Sequence, residues 1–356
     1  MTDAVLNSGS QPRPTFLGYH DPNRGRASLM MQFTYHGVQF DVLVSSDPNL
    51  LPPGYDFDQS IEGKILQGYD ALAYGTPSDK KDDRMDALAN QLGELASDAC
   101  FPTMQEIAPR SPLPEPRTLA EQLYPPGHTL QMTRDGETPG SRTIDYEHEE
   151  EYPPLTEEQL RKVSLSPNAP VYHASEVVLI ERLQSLVFKV EIEQKTMICK
   201  VSSHPIFGAT LAKELGVYQK LGQQRDDLKI PQFKGVVKSH KGIIAILLGY
   251  IPHKHHSLGT ILRDIKEGHL PKSEATTAMR AKWEDQINSS VTQLHKLGIL
   301  RHDVKTDNVL IDDKGDAIIL DFGGGNTVGW ADKDKWGTVE GDSQALEKIR
   351  EALREY

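Results

Sequence analysis

The sequence has little cysteine, no long apolar run and fewer basic than acidic residues. Its two cysteines, Cys100 and Cys199, cannot build a disulfide framework, which fits a protein of a reducing compartment. The longest apolar run, residues 242–251, is too short to cross a bilayer as a helix and predicts a buried strand. The net charge of −12 argues against nonspecific binding to nucleic acid or to an anionic membrane.

The start of the chain also lacks the pattern of a secretory leader. The segment MTDAVLNSGSQPRP has no basic region leading into an apolar core, so we expect no signal peptide. With 37% apolar and 25% charged residues, the 356-residue chain has the composition of a soluble globular protein with one large or two modest domains. We therefore expect an intracellular, cytoplasmic protein, with a nuclear location left open, that binds neither nucleic acid nor membrane.

The most informative stretch is residues 298–325, with the sequence GILRHDVKTDNVLIDDKGDAIILDFGGG. Two short apolar runs flank a turn-rich DDKGD segment, which predicts a β-hairpin. An antiparallel hairpin brings its outer ends together, and those ends are Asn308 and Asp321. Asp303 and Lys305 come just before the first strand. The pattern therefore predicts that two carboxylates, an amide and an ammonium group converge on one small volume.

Such a set of side chains suits phosphoryl transfer. A carboxylate and an amide oxygen can hold Mg²⁺, which prefers oxygen ligands and usually binds through one or two carboxylates plus substrate phosphates. A second carboxylate can accept a hydroxyl proton, and a lysine beside it can neutralise a transferring phosphoryl group. An ordinary solvated hairpin would account for one Asp-Phe-Gly, but not for Asp-x-Lys-x-x-Asn, a hairpin and Asp-Phe-Gly in that order.

The stretch resembles the catalytic and metal-binding loops of the protein-kinase superfamily, whose pattern is H-R-D-x-K-x-x-N followed by D-F-G. The resemblance implies that Asp303 is the catalytic aspartate and Lys305 the lysine on the phosphate side. It also implies that Asn308 and Asp321 are the ligands of Mg²⁺.

Upstream, the pattern changes to that of a β-rich small lobe. Hydrophobic periodicity predicts three strands, a helix and a further buried strand, at residues 176–180, 186–192, 196–201, 210–221 and 242–250. The resemblance implies that Lys200 holds the α- and β-phosphates of ATP and that Glu214 pairs with it. It also implies that the connector between the lobes contacts the adenine through Gly249, Tyr250 and Ile251.

Several features depart from the family pattern. Arg301 and His302 stand in reverse order, so the arginine that contacts a phosphorylated activation loop is missing. Segment 181–186 has no glycine, which limits the approach of backbone amides to the phosphates.

Ser273 is predicted to cap a helix that ends before Gly298. Asp342 precedes a last amphipathic helix and resembles the aspartate that braces the catalytic loop. The resemblance covers roughly residues 171–356, without the later large-lobe helices, as in kinase-like proteins common in filamentous fungi.

The first 170 residues carry no catalytic pattern. The predicted elements are an irregular start (1–25), a hairpin (31–44, turning at His36-Gly37) and an amphipathic helix (82–99). Residues 101–155 are rich in proline and then acidic, which predicts a solvated linker without long helices. The alternative for the acidic run at 147–151 is a docking tail for a basic partner. Thr156 begins a capping box and a short helix to Val163.

These patterns predict an α+β chain with an N-terminal α+β extension (1–170) and a two-lobed protein-kinase-like fold. That fold has a β-rich small lobe (171–252) and a mostly helical, truncated large lobe (253–356). The resemblance implies an ATP- and Mg²⁺-dependent phosphotransferase acting on a serine or threonine hydroxyl, because Asp-x-Lys favours the serine/threonine type. Two alternatives stay open, namely a pseudokinase or regulatory scaffold that binds nucleotide without efficient transfer, and a small-molecule kinase. The sequence does not define the acceptor, protein or small molecule.

Overall fold

The computed structural model describes twelve stretches of the chain: 14–19, 28–47, 51, 54–73, 81–108, 117–135, 138–145, 152, 154–202, 204–222, 228–255 and 257–355. The chain divides into two compact units. The first contains residues 1–116 and 121–148, and the second contains residues 117–120 and 149–356. Among the described residues, no helix is long and apolar enough to cross a membrane.

The first unit is built on a five-stranded sheet whose strands lie side by side in chain order. The strands are β1 (Pro14–Tyr19), β2 (Ser28–Tyr35), β3 (Val38–Ser45), β4 (Gly127–Asp135) and β5 (Thr138–Ile144). The helices are α1 (Ile61–Ala73), α2 (Lys81–Ile107) and the short α3 (Leu119–Leu123), which spans the boundary between the units. Neighbouring strands are antiparallel except β3 and β4, which are parallel because the two long helices lie between them in the chain.

The predicted hairpin is confirmed as β2 and β3. Tyr35 pairs with Val38 across a two-residue turn, and both turn residues adopt positive φ, His36 at 51° and Gly37 at 80°. Such a turn follows the twist of antiparallel strands. The predicted helix is also confirmed as part of α2, which begins one residue earlier and continues past Pro102 to Ile107.

Two expectations for the first unit are wrong. The segment expected to be irregular contains β1, and the rest of 1–25 lies outside the described residues. The segment expected to be a linker contains the end of α2 together with β4 and β5. Helix α2 continues beyond its proline because Cys100, Met104 and Ala108 are buried in the core, and this burial overrides local propensity. The acidic run at 147–151 lies outside the described residues.

The small lobe of the second unit is a six-stranded sheet. It is preceded by α4 (Glu157–Val163) and contains β6 (Val171–His173), β7 (Val178–Gln184), β8 (Val187–Ile192), β9 (Lys195–Val201), α5 (His204–Leu221), β10 (Phe233–Lys238) and β11 (Ile243–Gly249). The strand order is β6-β10-β11-β9-β8-β7. The capping box of Thr156 is confirmed, because Thr156 Oγ1 accepts from Gln159 N and Gln159 Oε1 accepts from Thr156 N.

The large lobe is mostly helical. It consists of α6 (Leu258–Lys266), α7 (Thr277–Lys296), β12 (Val309–Ile311), β13 (Ala317–Ile319) and α8 (Val339–Arg354). Two predicted helix starts are wrong. The side chain of Thr276, rather than Ser273, caps α7, because residues 272–275 form a separate 3-10 turn. Thr338 caps α8, so Asp342 lies inside the first turn of that helix. Gly298 follows α7 with φ of 69°, as its predicted position requires.

Candidate active site

The hairpin of β12 and β13 brings its outer ends together. Val309 pairs with Ile319, and Leu320 N donates to the carbonyl of Asn308 at 2.8 Å. All six residues of the two strands are buried, so the hairpin is a rigid support for the side chains at its ends. The backbone therefore brings Asn308 and Asp321 close together, as expected from the sequence.

Asp303 is held by three partners. Lys305 Nζ lies 2.9 Å from Asp303 Oδ2, and Asn308 Nδ2 donates to the same oxygen at 3.2 Å. Thr327 N donates to Asp303 Oδ1 at 3.0 Å. Burial by itself raises the pKa of Asp303, but the hydrogen bonds from Lys305 and Thr327 outweigh it and bring the pKa below its ordinary value. The carboxylate is therefore ionised and oriented at neutral pH.

Thr327 connects the segment after Asp-Phe-Gly to this aspartate. Besides the backbone bond to Asp303, its Oγ1 accepts a hydrogen bond from Lys305 Nζ at 2.8 Å. Lys305, Asp303 and Thr327 thus form a closed triangle of contacts. Sequence reasoning missed Thr327, because no local pattern shows which residue of a glycine-rich segment folds back onto the catalytic loop.

Lys200 joins the two lobes. It lies near the end of β9, where it pairs with Ile246 of β11. Its Nζ lies 2.5 Å from Glu214 Oε2 on α5 and 2.9 Å from Asp321 Oδ1 at the exit of the hairpin. The structure thus brings together the three charged residues that the sequence singled out for nucleotide and metal.

The electrostatics of this triad favour the charged forms. Burial lowers the pKa of Lys200, but the negative charges of Glu214 and Asp321 and their hydrogen bonds raise it above its ordinary value. Burial raises the pKa of Asp321, whereas the charge and hydrogen bond of Lys200 lower it below its ordinary value. A fixed ammonium group beside an ionised carboxylate suits the binding of a polyphosphate with its cation.

Asp342 braces the catalytic loop from α8. Its exposure is 3%, and its carboxylate accepts hydrogen bonds from Arg301 N at 2.8 Å and from His302 N at 3.0 Å. His295 Nε2 of α7 lies 2.7 Å from the same carboxylate. His302 itself adopts a left-handed φ of 63°, which is unusual for a residue other than glycine. The brace therefore holds a strained turn just ahead of Asp303.

The connector residues follow the end of β11. Gly249 N donates to the carbonyl of Gln232 at 2.7 Å, so this amide is already used within the small lobe. Gly249, Tyr250 and Ile251 border a cavity of about 640 Å³ that is also lined by Pro170 and Tyr172. Lys200, Asp303 and Asp321 are not among the residues that line this cavity.

The segment between β7 and β8 has no glycine. Ser185 and Leu186 form its turn, and Arg182 Nη2 donates to the carbonyl of Ser185 at 3.1 Å. Side chains at every position restrict how closely the backbone N–H groups approach an anion. The contacts among Lys200, Glu214 and Asp321 are therefore stronger evidence for phosphate binding than this segment is.

The oxygen donors at the hairpin exit fit Mg²⁺. The amide nitrogen of Asn308 donates to the carbonyl and the carboxylate of Asp303, at 2.9 and 3.2 Å, which leaves the amide oxygen as the atom for a cation. Asp321 contributes a carboxylate whose side chain is 43% exposed. One carboxylate and one amide oxygen, with the remaining positions open for phosphate and water, is a donor set typical of Mg²⁺.

Comparison with known proteins agrees with this geometry. Residues 186–340 match the family described as the protein kinase domain. The match includes Lys200, Glu214 and the whole catalytic hairpin. Residues 186–340 therefore resemble the protein kinase domain, and their arrangement agrees with the two-lobed fold that the sequence predicted.

Curated relatives share a limited stretch with the chain. It is 36% identical over 115 residues to "Mitogen-activated protein kinase kinase kinase mkh1" of Cytospora mali, covering 32% of this chain and 6% of that protein. It is 27% identical over 124 residues to "Serine/threonine-protein kinase shk2" of Schizosaccharomyces pombe, covering 31% of this chain and 21% of that protein. It is 41% identical over 59 residues to "Testis-specific serine/threonine-protein kinase 5" of Mus musculus, covering 17% and 15%. The chain thus spans well under a third of the length of each of these relatives.

Proposed function

We propose that the second unit is an ATP- and Mg²⁺-dependent phosphotransferase of the protein-kinase type that phosphorylates a serine or threonine hydroxyl. The observation that carries this proposal is the closed triangle of Asp303, Lys305 and Thr327 beside the triad of Lys200, Glu214 and Asp321. One set positions an acceptor hydroxyl and the other positions the phosphate donor. The buried thiols Cys100 and Cys199 are both free, which supports an intracellular compartment for this activity.

Each residue of the site has a distinct role in this proposal. Asp303 accepts a hydrogen bond from the acceptor hydroxyl, orients its oxygen and takes its proton. Lys305, held by Asp303 and Thr327, places a positive charge beside the transferring phosphoryl group. Lys200, braced by Glu214, binds phosphate oxygens of the nucleotide. These groups are fixed before the reaction, so little reorganisation is needed.

Mg²⁺ would be held by Asp321 and Asn308 and, when bound, neutralises negative charge on the phosphates. Asp321 is ionised at neutral pH because its pKa is lowered, chiefly by Lys200, against the opposing effect of burial. The residues at this site therefore provide the donor set without any change of protonation.

Turnover of ATP by the purified full-length chain tests the proposal. We expect Mg²⁺-dependent ATP turnover or autophosphorylation that is lost in Asp303→Ala and in Asp321→Ala. Asp313→Ala is a matched control, because Asp313 is an exposed residue at the tip of the same hairpin. Wild-type protein that behaves like buffer, while ATP still raises its melting temperature, would show binding without transfer.

The segment between β7 and β8 favours a second candidate, a nucleotide-binding scaffold. Because Glu181 to Leu186 contains no glycine, its backbone is less able to wrap the phosphates that must be aligned for transfer. The same assay separates the candidates, since a scaffold binds ATP without consuming it. Phosphate transfer to a metabolite but to no protein would identify a small-molecule kinase.

A further inference from the structure

Arg301 is buried at the position where the family pattern has histidine. Its exposure is 1%, and it is among the largest fully buried side chains of the described residues. Burial of a guanidinium group is costly unless its hydrogen-bond donors find acceptors. The hydrogen-bond acceptors around Arg301 therefore show how the cost of burying its guanidinium group is offset.

Two nitrogens of Arg301 donate to consecutive backbone carbonyls at the exit of the catalytic hairpin. Nη1 donates to the carbonyl of Asp321, and Nη2 donates to the carbonyl of Leu320 at 2.7 Å. The guanidinium carbon lies 4.4 Å from the centre of the Phe322 ring. One planar group thus contacts three consecutive residues, 320 to 322, through a geometry that lysine cannot reproduce.

The backbone at that exit needs such support. Asp321 has φ of 63°, in the left-handed region that costs about 1–3 kcal/mol for a residue other than glycine. Strained backbone of this kind persists where the surrounding contacts over-determine it. The fork of Arg301 fixes the carbonyls on both sides of the Asp321 N–Cα bond, and it thereby fixes the direction of the carboxylate.

The third nitrogen of Arg301 belongs to a group of unpaired buried atoms. Arg301 Nε, Glu214 Oε1 and the hydroxyl of Tyr218 are all buried and have no hydrogen-bond partner among the described residues. The three side chains are within electrostatic range of one another. Tyr218 also lies against Phe322, with 5.6 Å between the ring centres. Phe322 thus contacts both the guanidinium group of Arg301 and the ring of Tyr218 on α5.

We propose that Arg301 is a positioning residue for Asp321. Its fork holds the left-handed turn at the hairpin exit, and its contact with Phe322, which in turn contacts Tyr218, links that turn to α5. Helix α5, which carries Glu214, and the hairpin, which carries Asp321, are thereby held in one relative position around Lys200. This inference rests on the proposed function, in which Asp321 binds Mg²⁺, whereas Arg301 itself touches neither the metal nor the substrate.

Two substitutions separate the contributions of Arg301. Arg301→Lys keeps the positive charge and removes the planar fork. Arg301→Met keeps an apolar stem of similar length and removes the charge. Arg280→Lys is the matched control, because Arg280 Nη1 donates to the backbone carbonyl of Ala275 at 2.6 Å, away from the site.

Amide hydrogen exchange of the full-length protein without nucleotide is the first measurement. We expect peptides that cover residues 320–324 and α5 to exchange about tenfold faster or more in both Arg301 variants and at the wild-type rate in Arg280→Lys. Tyr218→Leu, which removes the ring that contacts Phe322, should also speed exchange in α5. Peptides from α6 serve as an internal reference, since Arg301 has no hydrogen bond, ion pair or ring contact with α6 in the described part of the chain.

Binding of ADP with and without Mg²⁺ is the second measurement. We expect the Mg²⁺-dependent gain in affinity to fall by about 10- to 100-fold in both Arg301 variants, the range seen when a residue behind a metal ligand is lost. Affinity for ADP in the presence of EDTA should stay at the wild-type value. A loss of affinity that appears only with Mg²⁺ indicates misplacement of Asp321. A loss under both conditions indicates a general loss of structure.

Wild-type exchange at 320–324 in both Arg301 variants overturns the proposal. Faster exchange spread evenly over α6 and the rest of the unit also overturns it, because it indicates a purely structural role. If the wild-type protein binds no ADP with Mg²⁺, the proposed function fails, whereas the exchange measurement on nucleotide-free protein still decides the role of Arg301.

Discussion

Thr327 shows how one side chain organises the catalytic residues from outside the catalytic loop. Its backbone N–H and its hydroxyl contact Asp303 and Lys305, at 3.0 and 2.8 Å. Removal of the hydroxyl would leave the Lys305 ammonium group with Asp303 as its one remaining described partner. Asp303 and Lys305 would then be held less firmly against the segment that follows Asp-Phe-Gly.

Thr327→Val should therefore lower kcat by about 10- to 100-fold, because a hydrogen bond to a charged group contributes about 1.5–3 kcal/mol. The backbone bond to Asp303 remains, so the affinity for nucleotide should change little. Thr327→Ser, which keeps the hydroxyl, is the control. Steady-state kinetics with ATP as the varied substrate checks this, and equal kcat values for the two variants would count against the role of the hydroxyl.

Asp316 acts at the scale of elements, since it ties the catalytic hairpin to two other parts of the unit. Its carboxylate lies 2.9 Å from Lys229 Nζ ahead of β10, and 2.8 Å from both Lys282 Nζ and Gln286 Nε2 on α7. These hydrogen bonds, from Lys229 first and then Lys282 and Gln286, lower the pKa of Asp316 well below its ordinary value of 3.8. The hairpin is thereby fixed at its turn as well as at its catalytic end.

Asp316→Asn should lower the free energy of unfolding at pH 7 by about 1–3 kcal/mol. Because the folded-state pKa is depressed, the stabilisation is fully present above 3.8, and it is lost as pH falls through the folded-state pKa. The gap between wild type and variant should hold from pH 7 to pH 5 and shrink below pH 4. Urea unfolding at several pH values measures the gap, and Asp313→Asn should show none at any pH. A gap that closes between pH 7 and pH 5 would contradict this assignment.

The local elements of the second unit were predictable because their information is local. The Thr156 cap, the strand of Lys200 and the hairpin ending at Asp321 each lie within a few residues of their own signals. The contacts of Arg301 and Thr327 were not predictable, because each depends on a fold-back of 19 residues or more. In the first unit, β4 was missed because its partner β3 lies about 85 residues upstream, and no short window of sequence contains both.

At the scale of the whole molecule, each of the two units has its own hydrophobic core. The first is centred on residues such as Phe33, Phe40 and Leu66, and the second on residues such as Trp283 and Leu294. A buried ion pair also lies in the first unit, where Glu62 accepts from Arg134 Nε at 2.9 Å. Two cores of this kind allow two units to unfold separately.

Scanning calorimetry should accordingly show two unfolding transitions, each of which responds to a different perturbation. Leu66→Ala leaves a cavity in the first core and should cost about 2–5 kcal/mol, which lowers the melting temperature of one transition. ATP with Mg²⁺ should raise the other transition alone, because ligand binding stabilises only the unit that holds the site. Ile61→Ala, at an exposed position of the same helix as Leu66, should change neither. A single transition that responds to both perturbations would show that the two units unfold together.

The parallel pairing of β3 with β4 has a consequence for synthesis of the chain on the ribosome. Roughly 80 residues separate the end of β3 from the start of β4. At about 5–20 residues per second, β3 waits roughly 4–16 s for its neighbour. During that interval the hydrogen-bonding edge of an apolar strand is open to other nascent chains. Helices α1 and α2 emerge in the same interval, and early docking of their apolar faces onto the half-built sheet would shield this region until β4 arrives.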